Sequence, residues 1–448
     1  MRRRASIFLF ISVLLVSAVL MTNCGGDAAD VTITGEQLAK FLSPEAQADD
    51  NFGSSVAISG DYIVVGAWYE DGGPGDTLSD AGAAYIFHRI GNNTWYAGSR
   101  IVASDAQADD HFGRSVSISG DYVIVGAYLE DGGPGDSLTN AGAAYIFHRT
   151  GTNTWDAGIK IVSDDAQAYD WFGWSVSISG DYAIVGARDE DGGSGDPFSS
   201  AGAAYIFHRT GLTSWIMDAK LIAADQQAGD SFGSSASIND EYAIVGAYFE
   251  DGGPGDPHHD AGAAYIFHRT GTNSWDTGVK IVASDVQAID RYGNSVSISG
   301  DYAIVGAYLE DGDPGDPIYA AGAAYIFHRT GTNAWNTGTK IVAPDAQEGD
   351  VFGYSVSISG AYAIVGANSE DGGPGDPLSD AGAAYIFQRT GTNAWNTGTR
   401  FAASDAQEGD NFGFSVASSG GYAIVGASSE DGGEGDPISD AGAAYLYD

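Results

Sequence analysis

An all-β fold, a ring of seven four-stranded antiparallel blades forming a β-propeller, is predicted by three observations. An aromatic-glycine pair recurs every 60 residues, at Phe52, Phe112, Phe172, Phe232, Tyr292, Phe352 and Phe412, each followed by Gly. Each 60-residue unit alternates strand and turn signals, and nothing after the first residues of the chain has a helical 3.6 period. The seventh unit stops after its third strand, and a matching fourth strand stands at the other end of the chain. Repeats of this length mark an array of supersecondary units. Radial closure is how such an array protects its sheet edges.

The elements follow in order. Ser55–Ser59 alternates with period two and reads as a first strand, and Gly60-Asp61 is hairpin chemistry. Tyr62–Ala67 is a continuous apolar run, expected of a strand buried on both faces. A loop from Glu70 to Asp80 precedes a third strand, Gly82–Arg89. A Gly/Asn-rich turn, Trp95 and a fourth strand around Arg100–Ala103 complete the unit. Lys40–Gln47 aligns with Arg100–Gln107, so the N-terminal strand is expected to complete the last blade and latch the ring.

Residues 1–23 read as an export signal: Arg2-Arg3-Arg4, then an apolar run from Ile7 to Met21, too short to span a bilayer. Cys24, the single cysteine, follows and resembles a bacterial lipoprotein acceptor, although Met21-Thr22-Asn23 departs from the usual preceding residues. The alternative is ordinary cleavage near Ala28-Ala29. The expected organisation is signal 1–23, linker 24–35 and one propeller over 36–448. The expected location is a bacterial cell envelope or surface with a lipid anchor at Cys24, or secretion without one.

The 448 residues carry 19 Lys+Arg against 60 Asp+Glu, a net charge of -41. Such acidity excludes nucleic-acid binding by phosphate neutralisation and attachment to an anionic membrane through a basic face. One cysteine excludes a disulfide framework. With 43% hydrophobic residues the chain has a folded core, not the composition of a solvated tail. Length alone suggests about three domains; the uninterrupted repeat makes it one.

The phrases Phe-Gly-x-Ser-Val and Val-Gly-Ala, followed by Gly-Ala-Ala-Tyr-Ile-Phe, resemble the FG-GAP repeat of integrin α chains and bacterial surface proteins. The resemblance covers all seven units and implies a propeller, an extracellular adhesion role, a ligand on one face and calcium in loops of the other. The integrin-type calcium loop lies between the first and second strands. Here that position holds only Ser59-Gly60-Asp61-Tyr62, too short to wrap a cation, so the units look like a shorter bacterial subtype.

In a meandering blade the second-to-third and fourth-to-first connections emerge on one face, and both acidic motifs fall there. The fourth-to-first connection carries Asp50, Asp110, Asp170, Asp230, Asp290, Asp350 and Asp410. The second-to-third loops carry Glu70, Asp71 and Asp76; Glu130, Asp131 and Asp136; Glu190, Asp191 and Asp196; Glu250, Asp251 and Asp256; Glu310, Asp311 and Asp316; Glu370, Asp371 and Asp376; and Glu430, Asp431 and Asp436. These trios are the candidate metal ligands, because a hard cation such as Ca²⁺ wants six to eight oxygens. The competing reading is a rim of solvated acidic turns. Only five lysines, Lys40, Lys160, Lys220, Lys280 and Lys340, would suit salt adaptation.

Trp95, Trp155, Trp215, Trp275, Trp335 and Trp395 read as packing between blades, with sugar stacking as the alternative. His88, His148, His208, His268 and His328 read as strand-end residues, since the sixth copy has Gln388. Residues that break the sevenfold pattern are the candidate ligand site: Trp171, Trp174, Arg188 and Asp189 in the third blade, and Tyr248, Phe249, His258 and His259 in the fourth. No catalytic motif is present, and near-identical units offer little of the asymmetry catalysis needs. The expectation is a non-enzymatic, monomeric binding or adhesion propeller for a protein or carbohydrate partner. The alternatives are an extracellular hydrolase or lyase using the third- and fourth-blade loops, and a purely structural envelope protein.

Overall fold

A computed structural model describes residues 33–72, 77–132, 137–192, 195, 197–252, 257–311, 318–372, 378–431 and 438–448. The signal 1–23 and Cys24 lie outside these residues. So do Asp76, Asp136, Asp196, Asp256, Asp316, Asp376 and Asp436, the last member of every loop trio. Among the described residues all regular secondary structure is strand, and no helix is long and apolar enough to cross a membrane.

Seven antiparallel sheets stand around an axis, each following the meander read from the sequence. The second blade runs Phe112–Ser119, Tyr122–Ala127 and Ala143–Gly151. Its fourth strand comes in two pieces, Thr154–Trp155 and Ile159–Ile161, both paired to the third strand. The sequence placed the fourth strand at the equivalent of the second piece, around Arg100–Ala103 in the first unit, and the structure adds the short piece at the tryptophan. The break follows Gly158, which has φ +72 and where a Cβ would meet the Phe147 ring at 2.6 Å. In the third blade Asp218 occupies that position, and the fourth strand runs unbroken over Ser214–Leu221. First strands are innermost, each packed against those of both neighbours.

The ring closes as expected. Gln37–Phe41 pairs antiparallel with Ala443–Tyr447, Phe41 facing Ala444. The core is divided into clusters between adjacent blades rather than gathered at one centre. Between the first and second blades, for example, Val64 and Ile86 meet Phe112, Val125 and Tyr145.

The Phe-Gly pair has a local cause. In every blade the residue after Phe-Gly donates its N–H to the carbonyl of the residue before it, as in Ser54 to Asn51 (3.1 Å) and Trp174 to Trp171 (3.2 Å). Glycine takes the third position of this turn with φ near +94, the left-handed place that type II turns require. A side chain at Gly113 would also lie 2.3 Å from the Ala83 carbonyl oxygen of the preceding blade. The aromatic partner, Phe112, is fully buried against Tyr145 and Phe147. The side chain of the residue after Phe-Gly carries no such constraint, whereas the residue before it is itself left-handed, as at Asn51 with φ 55.

Candidate functional site

Two regions of the acidic-loop face hold its polar chemistry, and they differ in kind. The first is the set of repeated carboxylates. Glu70, Glu130, Glu190, Glu250, Glu310, Glu370 and Glu430 are all buried, at most 3% exposed. Each pairs with a cation on the fourth strand of its own blade: Arg100, Lys160, Lys220, Lys280, Lys340, Arg400 and, for Glu430, Lys40 of the latching N-terminal strand. The cation also reaches the preceding fourth-to-first connection, as Lys160 does to Asp105 at 2.9 Å. Asp105 in turn accepts the Tyr145 hydroxyl at 2.8 Å. Every lysine of the chain occupies this one structural position, so the lysine count has a cause in the fold.

The rim read from the sequence is therefore partly interior. Asp50, Asp110, Asp170, Asp230, Asp290, Asp350 and Asp410 are also buried, and each accepts the backbone N–H three residues earlier at 2.6–2.7 Å. Burial pushes Asp110, Asp170, Asp230, Asp290 and Asp350 up to about 7 and Asp410 up to about 6, with the neighbouring buried glutamate adding to the rise. The Lys160 ammonium and the Tyr145 hydroxyl outweigh the effect of burial on Asp105, whose carboxyl lies below its ordinary value.

Among the described residues, two members of each trio already have protein partners. The glutamate of each trio is held by an ammonium or guanidinium. The first aspartate closes its loop by accepting the N–H nine residues on, as Asp71 does from Asp80 (3.1 Å) and Asp131 from Asn140 (3.0 Å). A cation at the glutamate would have to compete with a strand-four ammonium or guanidinium, which is also held by a carboxylate of the preceding connection.

On the opposite face, Trp155 lies edge-on to Tyr62 of the preceding blade at 6.2 Å, and His88 stacks on Tyr62 at 4.3 Å. Arg149 covers the same ring at 4.6 Å and donates to its hydroxyl at 2.8 Å. Equivalent contacts recur around the ring, so the repeated tryptophans sit at blade junctions and the histidines stack on the tyrosine of their own blade.

The second region is the mouth of the axial channel. The turn that carries Phe-Gly, and the two residues after Val-Gly-Ala, bring the positions that vary between copies to this place. Trp171 and Trp174 stack at 5.6 Å and 15°. The Arg188 guanidinium lies 4.2 Å from the Trp174 ring centre, 5.1 Å from Trp171 and 5.7 Å from Tyr248 of the next blade. Asp189 reaches Arg188 at 3.5 Å, and Phe249 packs on Tyr248 at 4.2 Å. Six of the eight candidate ligand residues are thus one cluster.

Sequence reasoning missed its other members. Arg114 lies 4.3 Å from the Trp174 ring centre and 5.3 Å from Trp68. Burial pushes its guanidinium down from its usual value, and Arg188 pushes it the same way. Tyr308, Tyr354 and Phe414 form a chain on the far wall, with ring centres 5.7 and 5.2 Å apart. His111 meets the Tyr128 hydroxyl at 3.0 Å, and burial lowers it to about 4, which keeps it neutral at pH 7. Arg114, Trp174, Arg188, Tyr308, Tyr354 and Phe414 line a cavity of about 490 Å³ on the axis, within the size range of small-ligand pockets.

The two histidines lie elsewhere. His259 is an exposed loop residue paired with Asp260 at 3.2 Å, and the His258 amide closes its loop onto the Asp251 carbonyl at 2.9 Å. Asp251, His259 and Asp260 approach one another, but Asp251 already accepts the Asp260 N–H and Asp260 takes Arg291 at 3.1 Å. His259 touches the mouth only through that chain, since Arg291 covers Phe249 at 4.1 Å.

Fold and site together define a closed seven-bladed propeller with a ligand-sized axial mouth. The sequence model of the FG-GAP repeat matches seven segments, residues 36–87, 95–147, 155–207, 215–267, 275–327, 335–387 and 395–447. The chain belongs to the FG-GAP repeat family, and its fold supports a general binding or structural role. No curated protein matches the sequence.

Proposed function

We propose that this is a non-catalytic, monomeric binding propeller of the cell surface, which takes a glycan or protein partner in the axial mouth of its acidic-loop face. One observation carries the reading: copies that are otherwise near-identical differ most where they meet at the axis. The residue after Phe-Gly runs Ser54, Arg114, Trp174, Ser234, Asn294, Tyr354 and Phe414, while the glycine before it never changes. The residue before Phe-Gly is left-handed in every blade. Asn51 and Asn411 suit that conformation, but His111, Trp171, Arg291 and Val351 hold it too, with φ of 54–59°. A bulky or β-branched residue there costs on the order of 1 kcal/mol, and such strain gathers at functional sites. Exposed aromatic and arginine side chains are the usual anchors of recognition.

Export through residues 1–23 and a lipid on Cys24 complete the proposal; palmitate label lost on Cys24→Ala checks the anchor. The mouth is tested with Trp174→Ala and Tyr354→Ala on glycan and envelope-protein arrays. Both variants should melt within about 2 °C of the parent, since partly exposed positions contribute little to stability, and both should lose the captured partner. A partner retained by both variants overturns the reading. Turnover of a polysaccharide that disappears with them would replace it by the hydrolase or lyase alternative.

A further inference from the structure

The chemistry of the axial cavity points to a narrower class of ligand than a binding mouth in general. In a chain of net charge -41, two guanidinium groups converge on one indole, Trp174, at 4.3 and 4.2 Å. Arg188 has Asp189 at 3.5 Å. Arg114 pairs with no carboxylate among the described residues, and its Nε is buried without an acceptor. Everywhere else on this face a buried cation sits against at least one carboxylate, so the exception is local. An aromatic cage around an arginine holds its planar fork in place and leaves its edge free for a carboxylate, which such a fork binds bidentately. The opposite wall, Tyr308, Tyr354 and Phe414, is made of aromatic rings that are only partly buried. The cavity therefore has a cationic side from the second and third blades and a stacking side from the fifth to seventh.

We propose that this cavity takes an anionic sugar ring, a uronate unit, with its carboxylate on Arg114 and Arg188 and its flat apolar face on the tyrosine wall. This rests on the binding reading above and adds the ligand's chemistry to it. The overall acidity does not forbid an anion: at physiological salt the Debye length is about 8 Å, so the groups within the channel decide. A uronate has two sources, a free monosaccharide or a unit of an acidic polysaccharide. A closed ring of blades around the cavity admits either a monomer or a chain end.

The test is calorimetric titration of the full chain in 150 mM NaCl with galacturonate, a galacturonate trimer, glucose and acetate. Galacturonate should bind at least tenfold more tightly than glucose, and acetate, which has the charge without the ring, should not bind measurably. The trimer binding more tightly than the monomer identifies the polymer as the source, and equal affinity identifies the free sugar. Arg114→Gln and Arg188→Gln should each weaken uronate at least tenfold with the melting temperature unchanged. Arg114→Lys, which keeps the charge and loses the fork, should recover only part of that loss. Glucose binding as well as galacturonate, no uronate binding by a chain that melts normally, or unchanged affinity in Arg114→Gln would each overturn the inference. A neutral glycan whose capture is lost in Trp174→Ala would also overturn it while leaving the axial mouth as the binding site. Uronate binding that survives both Trp174→Ala and Tyr354→Ala would remove both readings.

Discussion

The buried carboxylate networks and the axial mouth lie on one face of one ring, yet they obey opposite rules. In the networks all seven blades repeat one arrangement: a buried glutamate, a strand-four cation and, in most, an aspartate of the preceding connection. Even the ring closure follows it, because Lys40 of the N-terminal strand supplies the cation for Glu430. At the mouth no two adjacent blades present the same pair of residues. Most of the repeated charge that dominates this face is thus structural, and recognition is left to the few positions the turn geometry frees.

The largest expected effect breaks a network. Lys160→Met leaves Glu130 buried without its cation, which typically costs about 3–5 kcal/mol. Chemical denaturation should show a lowered midpoint, and Lys40→Met should lower it as well while also loosening the closure. The double variant Lys160→Met/Glu130→Leu should recover most of the loss, because an apolar pair of similar volume is close to neutral. Arg188→Gln at the mouth, by contrast, should change stability by no more than about 0.5 kcal/mol. A Lys160→Met chain as stable as the parent would show that the networks are surface pairs of little weight, and the contrast between the two regions would fail.

The same contrast explains what was legible in the sequence. The Phe-Gly spacing, the alternation in Ser55–Ser59 and the displaced fourth strand at Lys40 fixed blade number and closure, because each reports local or strictly periodic geometry. The role of Glu70 was not legible. An acidic residue in a Gly-rich loop looks the same whether it is solvated, bound to a cation or buried under a lysine 30 residues away in the chain, and only strand pairing brings Lys160 over Glu130. At the mouth the signal was present but incomplete. Trp171, Trp174 and Arg188 were visible as departures, whereas Arg114 and Tyr354 look like drift unless the whole column after Phe-Gly is compared and the first strand is known to be innermost. His258 and His259 were departures too, and the fold places them on the second-to-third loop, away from the cavity lining.

The smallest expected effect concerns pH and sharpens the account of the networks. Around Lys160 stand three carboxylates, Glu130, Asp105 and Asp110, against one ammonium, and burial, with the charges of Glu130 and Asp105 adding to it, raises Asp110 to about 7. The folded chain then holds this proton more tightly than the unfolded chain, whose aspartates titrate near 3.8. Between about pH 4 and pH 7 the unfolded state loses the proton first, so stability from Asp110 falls as pH rises through this window and levels off above it. Asp105 behaves in the opposite sense: its carboxyl is lowered, so its contribution is present above pH 4 and is lost only in stronger acid. The melting temperature should therefore be higher at pH 5 than at pH 8. General relief of charge repulsion predicts the same direction, and Asp110→Asn separates the two causes. Asparagine keeps an oxygen for the Gln107 N–H and cannot ionise, so it should stabilise the chain at pH 8 by an amount on the order of 1 kcal/mol and lose that advantage near pH 4. If Asp110→Asn shifts the melting temperature equally at both pH values, the proton does not reside on the ring of buried aspartates, and the networks are fully ionised in the folded state.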